Sequence, residues 1–89
     1  MSLNEMIGRL SRIRQNIEDE QNKKLAKRWD KYGDYRDWKL SGIFDHLLLE
    51  IQELEKALLN EGPNEIKDEI LDVRNCTEFL WDFLYIKRV

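Results

Sequence analysis

Apolar residues recur every three or four positions along most of the chain, and two short interruptions divide it into three segments. The first interruption is centred on Gly33 and the second on Gly62-Pro63. A three/four spacing places apolar side chains along one side of an α-helix, whereas a half-buried strand alternates at every second residue. The sequence therefore predicts an all-α fold of three main helices with short connections.

The first helix is predicted to begin at Leu3 and to end before Gly33, either as one long helix or with a bend. Its middle is polar, with acids at positions 18–20 followed by bases at positions 23–28. Acids and bases four residues apart stabilise a helix, which favours continuity through this region. The bases are interpreted as a solvated face, and they are Lys23, Lys24, Lys27 and Arg28.

The second helix is predicted from about Trp38 to Asn60, with Asp37 as its N-cap. An aspartate at that position accepts hydrogen bonds from free amides of the first turn. Gly62-Pro63 separates the second helix from the third, because Gly is favoured just past a helix end and Pro in a first turn. The third helix is predicted to fray near Lys87-Arg88.

A chain of 89 residues makes one domain, residues 1–89. A chain this short buries only about 60–65% of its unfolded surface. We therefore expect a small antiparallel helical bundle that is completed by homo-oligomerisation, as a dimer or a tetramer.

Bulk properties exclude several classes of protein. The longest wholly apolar run, Leu47 to Leu49, is far too short for a membrane span. A net charge of −3 disfavours a nucleic-acid partner. The single cysteine, Cys76, excludes an internal disulfide and a cysteine-based zinc site. Together with an N-terminus that lacks the pattern of a signal peptide, it favours a cytoplasmic location.

Two acidic pairs, each with a spacing of three, stand on the second and third helices: Glu50 with Glu53, and Glu69 with Asp72. Residues three apart lie on one side of a helix, one turn from each other. At about 100° per residue, both pairs lie on the same flank of their own apolar stripe. Four facing carboxylates suit a hard cation such as Mg²⁺, with Mn²⁺ as a second candidate. The alternative is a set of ordinary solvated acids.

The apolar stripes beside these acids are predicted to form the core. On the second helix the stripe contains Leu47, Ile51, Leu54 and Leu58. On the third helix it contains Ile66, Ile70, Val73, Leu80 and Leu84. The acidic flank of the third helix continues into Cys76, Phe79 and Phe83, so the pattern predicts a groove with a carboxylate end and an aromatic end. Asn75 is predicted to point away from the core.

Three residues upstream of the acids are candidate substrate ligands, namely Trp29, Lys39 and His46. An aromatic ring such as Trp29 can stack on a nucleobase, although packing in a core or an interface is an equal alternative. Lys39 and His46 fall on the acidic flank of the second helix, where a lysine can pair with a phosphate. An exposed lysine and a surface histidine are the alternatives.

Leu47 to Leu54 resembles the apolar run into E-x-x-E-L of the MazG-like, all-α nucleoside triphosphate pyrophosphatases. This superfamily also includes dimeric dUTPases and dCTP pyrophosphatases. Asp68 to Val73 is similar to its second motif, D/E-E-I-x-D-V/L, and Arg28 to Tyr32 is similar to the aromatic segment before the second helix in several members. The resemblance covers about residues 25–85.

The resemblance implies a Mg²⁺-dependent enzyme that hydrolyses an NTP or dNTP at the α-phosphate to a nucleoside monophosphate and pyrophosphate. Its metal ligands would be Glu50, Glu53, Glu69 and Asp72, with Glu53 as the general base. The metal would neutralise phosphate oxygens and lower the pKa of the attacking water. The chain departs from the family at Gln52, where many members have Gly, and at Lys56, where a further acid is common.

Two other functions stay open. One is a non-catalytic, helical, homo-oligomeric interaction or regulatory module with the same fold. The other is a di-iron carboxylate bundle, which requires Glu-x-x-His pairs. The only histidine, His46, does not follow a Glu by three residues, so the di-iron site is disfavoured.

Overall fold

The computed structural model describes residues 1–87 and contains three long helices, α1 (Leu3–Tyr32), α2 (Leu40–Asn60) and α3 (Pro63–Lys87). A short 3-10 turn, Tyr35–Asp37, lies between α1 and α2. No strand occurs within residues 1–87. The all-α prediction with three main helices is confirmed. α3 continues to Lys87, and Arg88 lies outside the described residues.

α1 is one continuous helix, as the first of the two expectations for it stated. It begins with a capping box, in which the Ser2 hydroxyl accepts from the Glu5 amide and the Glu5 carboxylate accepts from the Ser2 amide. It ends at Gly33, which has φ of 65° and donates its N–H to the Trp29 carbonyl. A glycine suits this position because L-residues with a side chain rarely adopt positive φ.

The predicted start of the second helix is wrong by about two residues. Asp37 belongs to the 3-10 turn, and the N-cap of α2 is Lys39, which makes no side-chain cap. The cause lies in the connector, where Asp34 caps the turn by accepting from the Arg36 amide. The amide of Trp38 then donates to the Tyr35 carbonyl, so the backbone stays extended until Lys39.

α2 packs along α3, and the C-terminal half of α1 also lies against α3. Fully buried apolar side chains are few, and they are Ile43, Leu47, Ala57 and Cys76. Among the described residues, slightly more polar side chains than apolar ones are buried, and they are Gln21, Lys24, Glu50, Asp72 and Asn75. The centre of this small fold is therefore unusually polar. Burying its charged groups costs free energy unless they are paired.

On α2 the buried line runs through Ile43, Leu47, Glu50 and Ala57, so Glu50 lies inside the fold and not on its flank. The prediction that Ile51 and Leu58 form the core is wrong, because their side chains are 44% and 60% exposed. Apolar residues cover so wide a sector of α2 that either of two faces could pack inward. The face that contains Glu50 is the one that packs.

The inward face of α3 differs from the predicted one in the same way. Asp72, Asn75 and Cys76 are buried, whereas Ile70 and Leu84 are largely exposed, contrary to their predicted role in the core. Asn75 therefore points inward, which corrects the predicted direction of its side chain. In both helices, pairing between polar groups of neighbouring helices decides which face turns inward.

The N-terminal half of α1 carries an apolar stripe that is exposed to solvent in the single chain. Its members are Leu3, Met6, Ile7, Leu10 and Ile13. Within residues 1–87, no helix is long and apolar enough to cross a membrane.

Candidate functional site

Carboxylates from both acidic pairs converge where α2 packs on α3. Glu50 from α2 and Glu69 and Asp72 from α3 each offer an oxygen, and these atoms all lie within 4.8 Å of one another. We call these three residues the carboxylate cluster. Glu50 and Asp72 are buried and Glu69 is half-buried. The structure thus brings together three of the four acids that the sequence predicts as metal ligands.

The fourth predicted acid, Glu53, is exposed one turn further along α2. It is close enough to Glu69 for its negative charge to contribute to the raised pKa of that residue. Glu53 therefore borders the carboxylate cluster on its solvent side.

Burial and mutual repulsion raise the pKa values of two members of the cluster, Glu50 and Glu69. Burial, the negative charge of Asp72 and a hydrogen bond with Asp72 raise the pKa of Glu50 to about 7. Burial and the charge of Asp72 also raise the pKa of Glu69. Carboxylates held close together favour protonation unless cations neutralise them, so the cluster has an electrostatic affinity for positive charge.

Part of that positive charge comes from α1. The Lys24 ammonium lies 2.8 Å from Asp72 Oδ2 and 2.9 Å from Asp68 Oδ2, and it donates to the Asp68 carbonyl at 2.7 Å. Arg28 Nη2 donates to Asp72 Oδ2 at 3.3 Å. The interpretation of these two bases as a solvated face is therefore wrong, because they turn to α3, whereas Lys23 pairs with Glu20 on its own helix as expected.

A third polar residue of α1 joins the same interface. Gln21 Nε2 donates to Asn75 Oδ1 at 2.8 Å and to Glu78 Oε2 at 3.1 Å. Ile17, Gln21, Lys24 and Arg28 continue the three/four spacing of the apolar stripe of α1. A stripe that changes from apolar to polar without changing phase is the signal by which the sequence could have identified these inward residues.

His46 stands one turn before Glu50 on α2. Its Nε2 lies 3.2 Å from Glu50 Oε1, and burial lowers its pKa. Tyr32 and Trp38 contact the imidazole edge-to-face, both with ring centroids 5.4 Å from it. The prediction that His46 lies beside the acids agrees with this position.

An aromatic cavity of about 50 Å³ adjoins the carboxylate cluster. Asp72 forms its acidic end, and Cys76 and Phe79 continue from it along α3. The other side is formed by residues of α1 and the connector, among them Trp29, Tyr32, Tyr35 and Trp38. This arrangement matches the predicted groove with a carboxylate end and an aromatic end, although Phe83 is not among the residues that line it.

The two remaining candidate substrate ligands differ in position. Trp29 lines the cavity at its mouth and is 59% exposed, so its ring is available to a ligand. Lys39 is exposed at the N-cap of α2 and does not line the cavity. Cys76 is a buried free thiol whose pKa is raised by burial to about 12, which fits packing and not reactivity.

Contacts between the connector and α3 hold the aromatic side of the cavity in place. The Tyr35 hydroxyl donates to Asp82, and the Tyr35 ring stacks on Phe79 with centroids 4.3 Å apart. Burial and the hydrogen bond to Asp82 raise the pKa of Tyr35 to about 12, so it stays protonated. No sequence pattern indicates this pair.

The carboxylate cluster fits a hard divalent cation. Mg²⁺ binds oxygen ligands at about 2.0–2.1 Å in an octahedron, so its ligand oxygens lie up to about 4 Å apart. The oxygens of the three residues, within 4.8 Å of one another, are close to that spacing. Glu50, Glu69 and Asp72 are the residues that would hold such an ion.

Comparison with protein-family models, curated proteins and solved structures gives no significant match to the chain.

Proposed function

We propose that the protein is a Mg²⁺-dependent nucleoside triphosphate pyrophosphohydrolase, which cleaves an NTP or dNTP at the α-phosphate to a nucleoside monophosphate and pyrophosphate. The observation that carries this proposal is the convergence of Glu50, Glu69 and Asp72 beside an aromatic cavity. Such a site offers a place for a metal and its phosphates next to surfaces on which a base can stack.

We further propose that the chain is a MazG-like protein. The support is the paired motif of Glu50-x-x-Glu53 and Glu69-x-x-Asp72, together with the all-α fold. The proposed arrangement of α2 and α3 is antiparallel. Electrostatic partners occur in reversed order along the two helices, since, besides burial, Glu53 raises the pKa of Glu69 and Asp72 raises the pKa of Glu50.

The chain's residues divide the work of the proposed reaction. Glu50, Glu69 and Asp72 would hold Mg²⁺ or Mn²⁺, which would supply positive charge to the phosphates and lower the pKa of water. Glu53, on the solvent side of the cluster, accepts the proton of the attacking water. The water oxygen bonds to the α-phosphorus as the bond to the bridging oxygen breaks, and pyrophosphate leaves.

Substrate contacts are assigned by position. Trp29 stacks on the base at the mouth of the cavity, and His46 positions Glu50 and borders the sugar or base. Lys39 is proposed as a more distant phosphate contact, since it is exposed at the start of α2. The protein is proposed to act in the cytoplasm as a homo-oligomer, either a dimer or a tetramer.

The test is pyrophosphate release from a panel of NTPs and dNTPs with Mg²⁺. Glu53→Gln should lower kcat by at least about 100-fold, which is the usual contribution of a general base. Asp72→Asn should lower activity as well, because it removes a metal ligand. Glu55→Gln, at an exposed position of the same helix, is the matched control and should keep wild-type activity. Equal activity in all four proteins would rule out this site.

One observation favours a second candidate, a non-catalytic helical interaction or regulatory module that forms homo-oligomers. Lys24 and Arg28 already neutralise Asp72 from within the chain, as a purely structural charge network would. This alternative predicts oligomers whose thermal stability does not change with Mg²⁺. The proposed enzyme should instead be stabilised by the ion.

A further inference from the structure

Two cations of α1 contact Asp72, and they differ in how completely their hydrogen bonds are used. The Lys24 ammonium has three donors and lies within 2.9 Å of three oxygens, and its side chain is 8% exposed. A lysine in this state is saturated. It fixes α1 on α3 and has no donor left for a ligand.

Arg28 is in the opposite state. Its guanidinium has five N–H donors, and among the described residues it donates only to Asp72, at 3.3 Å. Its side chain is 37% exposed. Most of its hydrogen-bonding capacity is therefore available, and the one bond that it makes is long for a charge-assisted contact.

The position of Arg28 joins the two halves of the site. Its guanidinium carbon lies 5.6 Å from the centroid of the Tyr32 ring, and the side chain lines the aromatic cavity. A group that bridges carboxylates and base-stacking rings occupies the place where a phosphate chain would lie.

We infer that Arg28 is a substrate-binding residue that transfers its guanidinium from Asp72 to the phosphate oxygens of a nucleoside triphosphate. This inference rests on the proposed function of the carboxylate cluster. A guanidinium binds phosphate oxygens in a bidentate manner, for which a lysine is a poor substitute. Lys24 continues to compensate Asp72 after Arg28 has turned, so the transfer leaves this buried carboxylate with a cation.

The experiment measures metal binding and triphosphate binding separately by calorimetry. Mn²⁺ alone is titrated into wild type, Arg28→Gln and Arg28→Lys, and then magnesium triphosphate, which contains no base, is titrated into the same proteins. Arg14→Gln removes the same charge from an exposed position of α1 and serves as the matched control. Thermal melts of all variants verify that they fold.

Arg28→Gln should bind magnesium triphosphate about 10- to 100-fold more weakly than wild type, the range for loss of charge-assisted hydrogen bonds. Its affinity for Mn²⁺ should be unchanged or higher, because a competing cation has left Asp72. Arg28→Lys should recover part of the loss, and Arg14→Gln should behave as wild type. With the preferred nucleotide, Arg28→Gln should raise KM more than it lowers kcat.

Two results would overturn the inference, and they have different meanings. If wild type binds Mn²⁺ and magnesium triphosphate but Arg28→Gln binds both equally well, Arg28 is only a structural partner of Asp72 and the proposed function stands. If wild type binds neither ligand, the proposed function fails and the role of Arg28 fails with it.

Discussion

Glu50 is the residue of the site whose burial costs the most free energy. It lies on the buried face of α2, where a leucine would complete the apolar line from Ile43 and Leu47 to Ala57. Its pKa is raised to about 7, because burial and Asp72 both disfavour its negative charge. A buried carboxylate beside two others stabilises nothing by itself, and its presence in a small core supports the proposal that the site binds a cation.

This gives a pH prediction for the metal-free protein. Because the folded pKa of Glu50 exceeds the unfolded value, the folded state binds more protons between about pH 4.5 and about pH 7. The contribution of Glu50 to stability is therefore greatest at low pH and is lost as the pH rises through 7. Glu50→Gln removes this dependence and should stabilise the protein relative to wild type at about pH 8 more than at about pH 5.

The measurement is urea denaturation of both proteins with a chelator present and at one protein concentration. His46 titrates with the opposite sign, since its pKa is lowered, but it is present in both proteins and its effect largely cancels. A stability difference that stays constant across this pH range would contradict the raised pKa of Glu50.

For individual residues, the sequence identified the acids of the carboxylate cluster but not the bases of α1 that pair with them. Glu50, Glu69 and Asp72 follow from a spacing of three on two helices, which is local information. Lys24 and Arg28 were missed because their partners are more than forty residues away in the chain. Local spacing marks the face of α1 that carries these two bases, but it does not identify their partners on α3.

The helices themselves were predictable almost completely. α1 and α3 begin where the sequence indicated, at Leu3 and Pro63, because caps and proline act within one turn. The inward faces of α2 and α3 were not predictable, since both helices carry apolar residues over more than half of their circumference. Exposed side chains such as Ile51 and Ile70 show that the largest apolar residues did not decide the packing.

The attachment of α1 to α3 should depend on Lys24. Lys24→Met keeps the length of the side chain but leaves the buried Asp72 with only the long contact to Arg28. Removal of one partner from a buried ion pair costs about 3 kcal/mol or more. The free energy of unfolding, measured by urea denaturation, should fall by about that amount.

Lys23→Gln is the control for this prediction, because Lys23 is the exposed neighbour of Lys24 and pairs only within α1. It should change stability by less than about 0.5 kcal/mol. Equal effects of the two substitutions would show that the contacts of Lys24 with α3 do not stabilise the fold.

For the whole molecule, the balance between buried and exposed apolar surface is unusual. The fully buried apolar side chains are few, while much larger ones, such as Trp81 at 74% exposure, face solvent. The stripe of α1 from Leu3 to Ile13 is likewise open in the single chain. A fold of this size with so small a core needs additional burial, which a second copy would provide.

The proposed oligomer should therefore depend on this stripe. Wild-type protein should elute as a dimer or tetramer in size-exclusion chromatography with light scattering. The double substitution Ile7→Glu and Leu10→Glu should lower the mass, because charge in an apolar contact is unfavourable. Gln15→Glu adds one negative charge off the stripe and should leave the mass unchanged. A monomeric wild type at micromolar concentration would contradict the proposal.

Every role proposed for the site depends on a divalent cation binding to the carboxylate cluster. The most direct test is calorimetric titration of Mn²⁺ and Mg²⁺ into wild type, Glu69→Gln and Glu65→Gln. Glu65 lies exposed in the first turn of α3, outside the cluster, and is the matched control. We predict that wild type and Glu65→Gln bind the ions alike and that Glu69→Gln binds them at least about tenfold more weakly, since it loses one of three carboxylate ligands. Absence of binding in wild type, or equal binding by Glu69→Gln, would contradict a divalent-cation site at the carboxylate cluster.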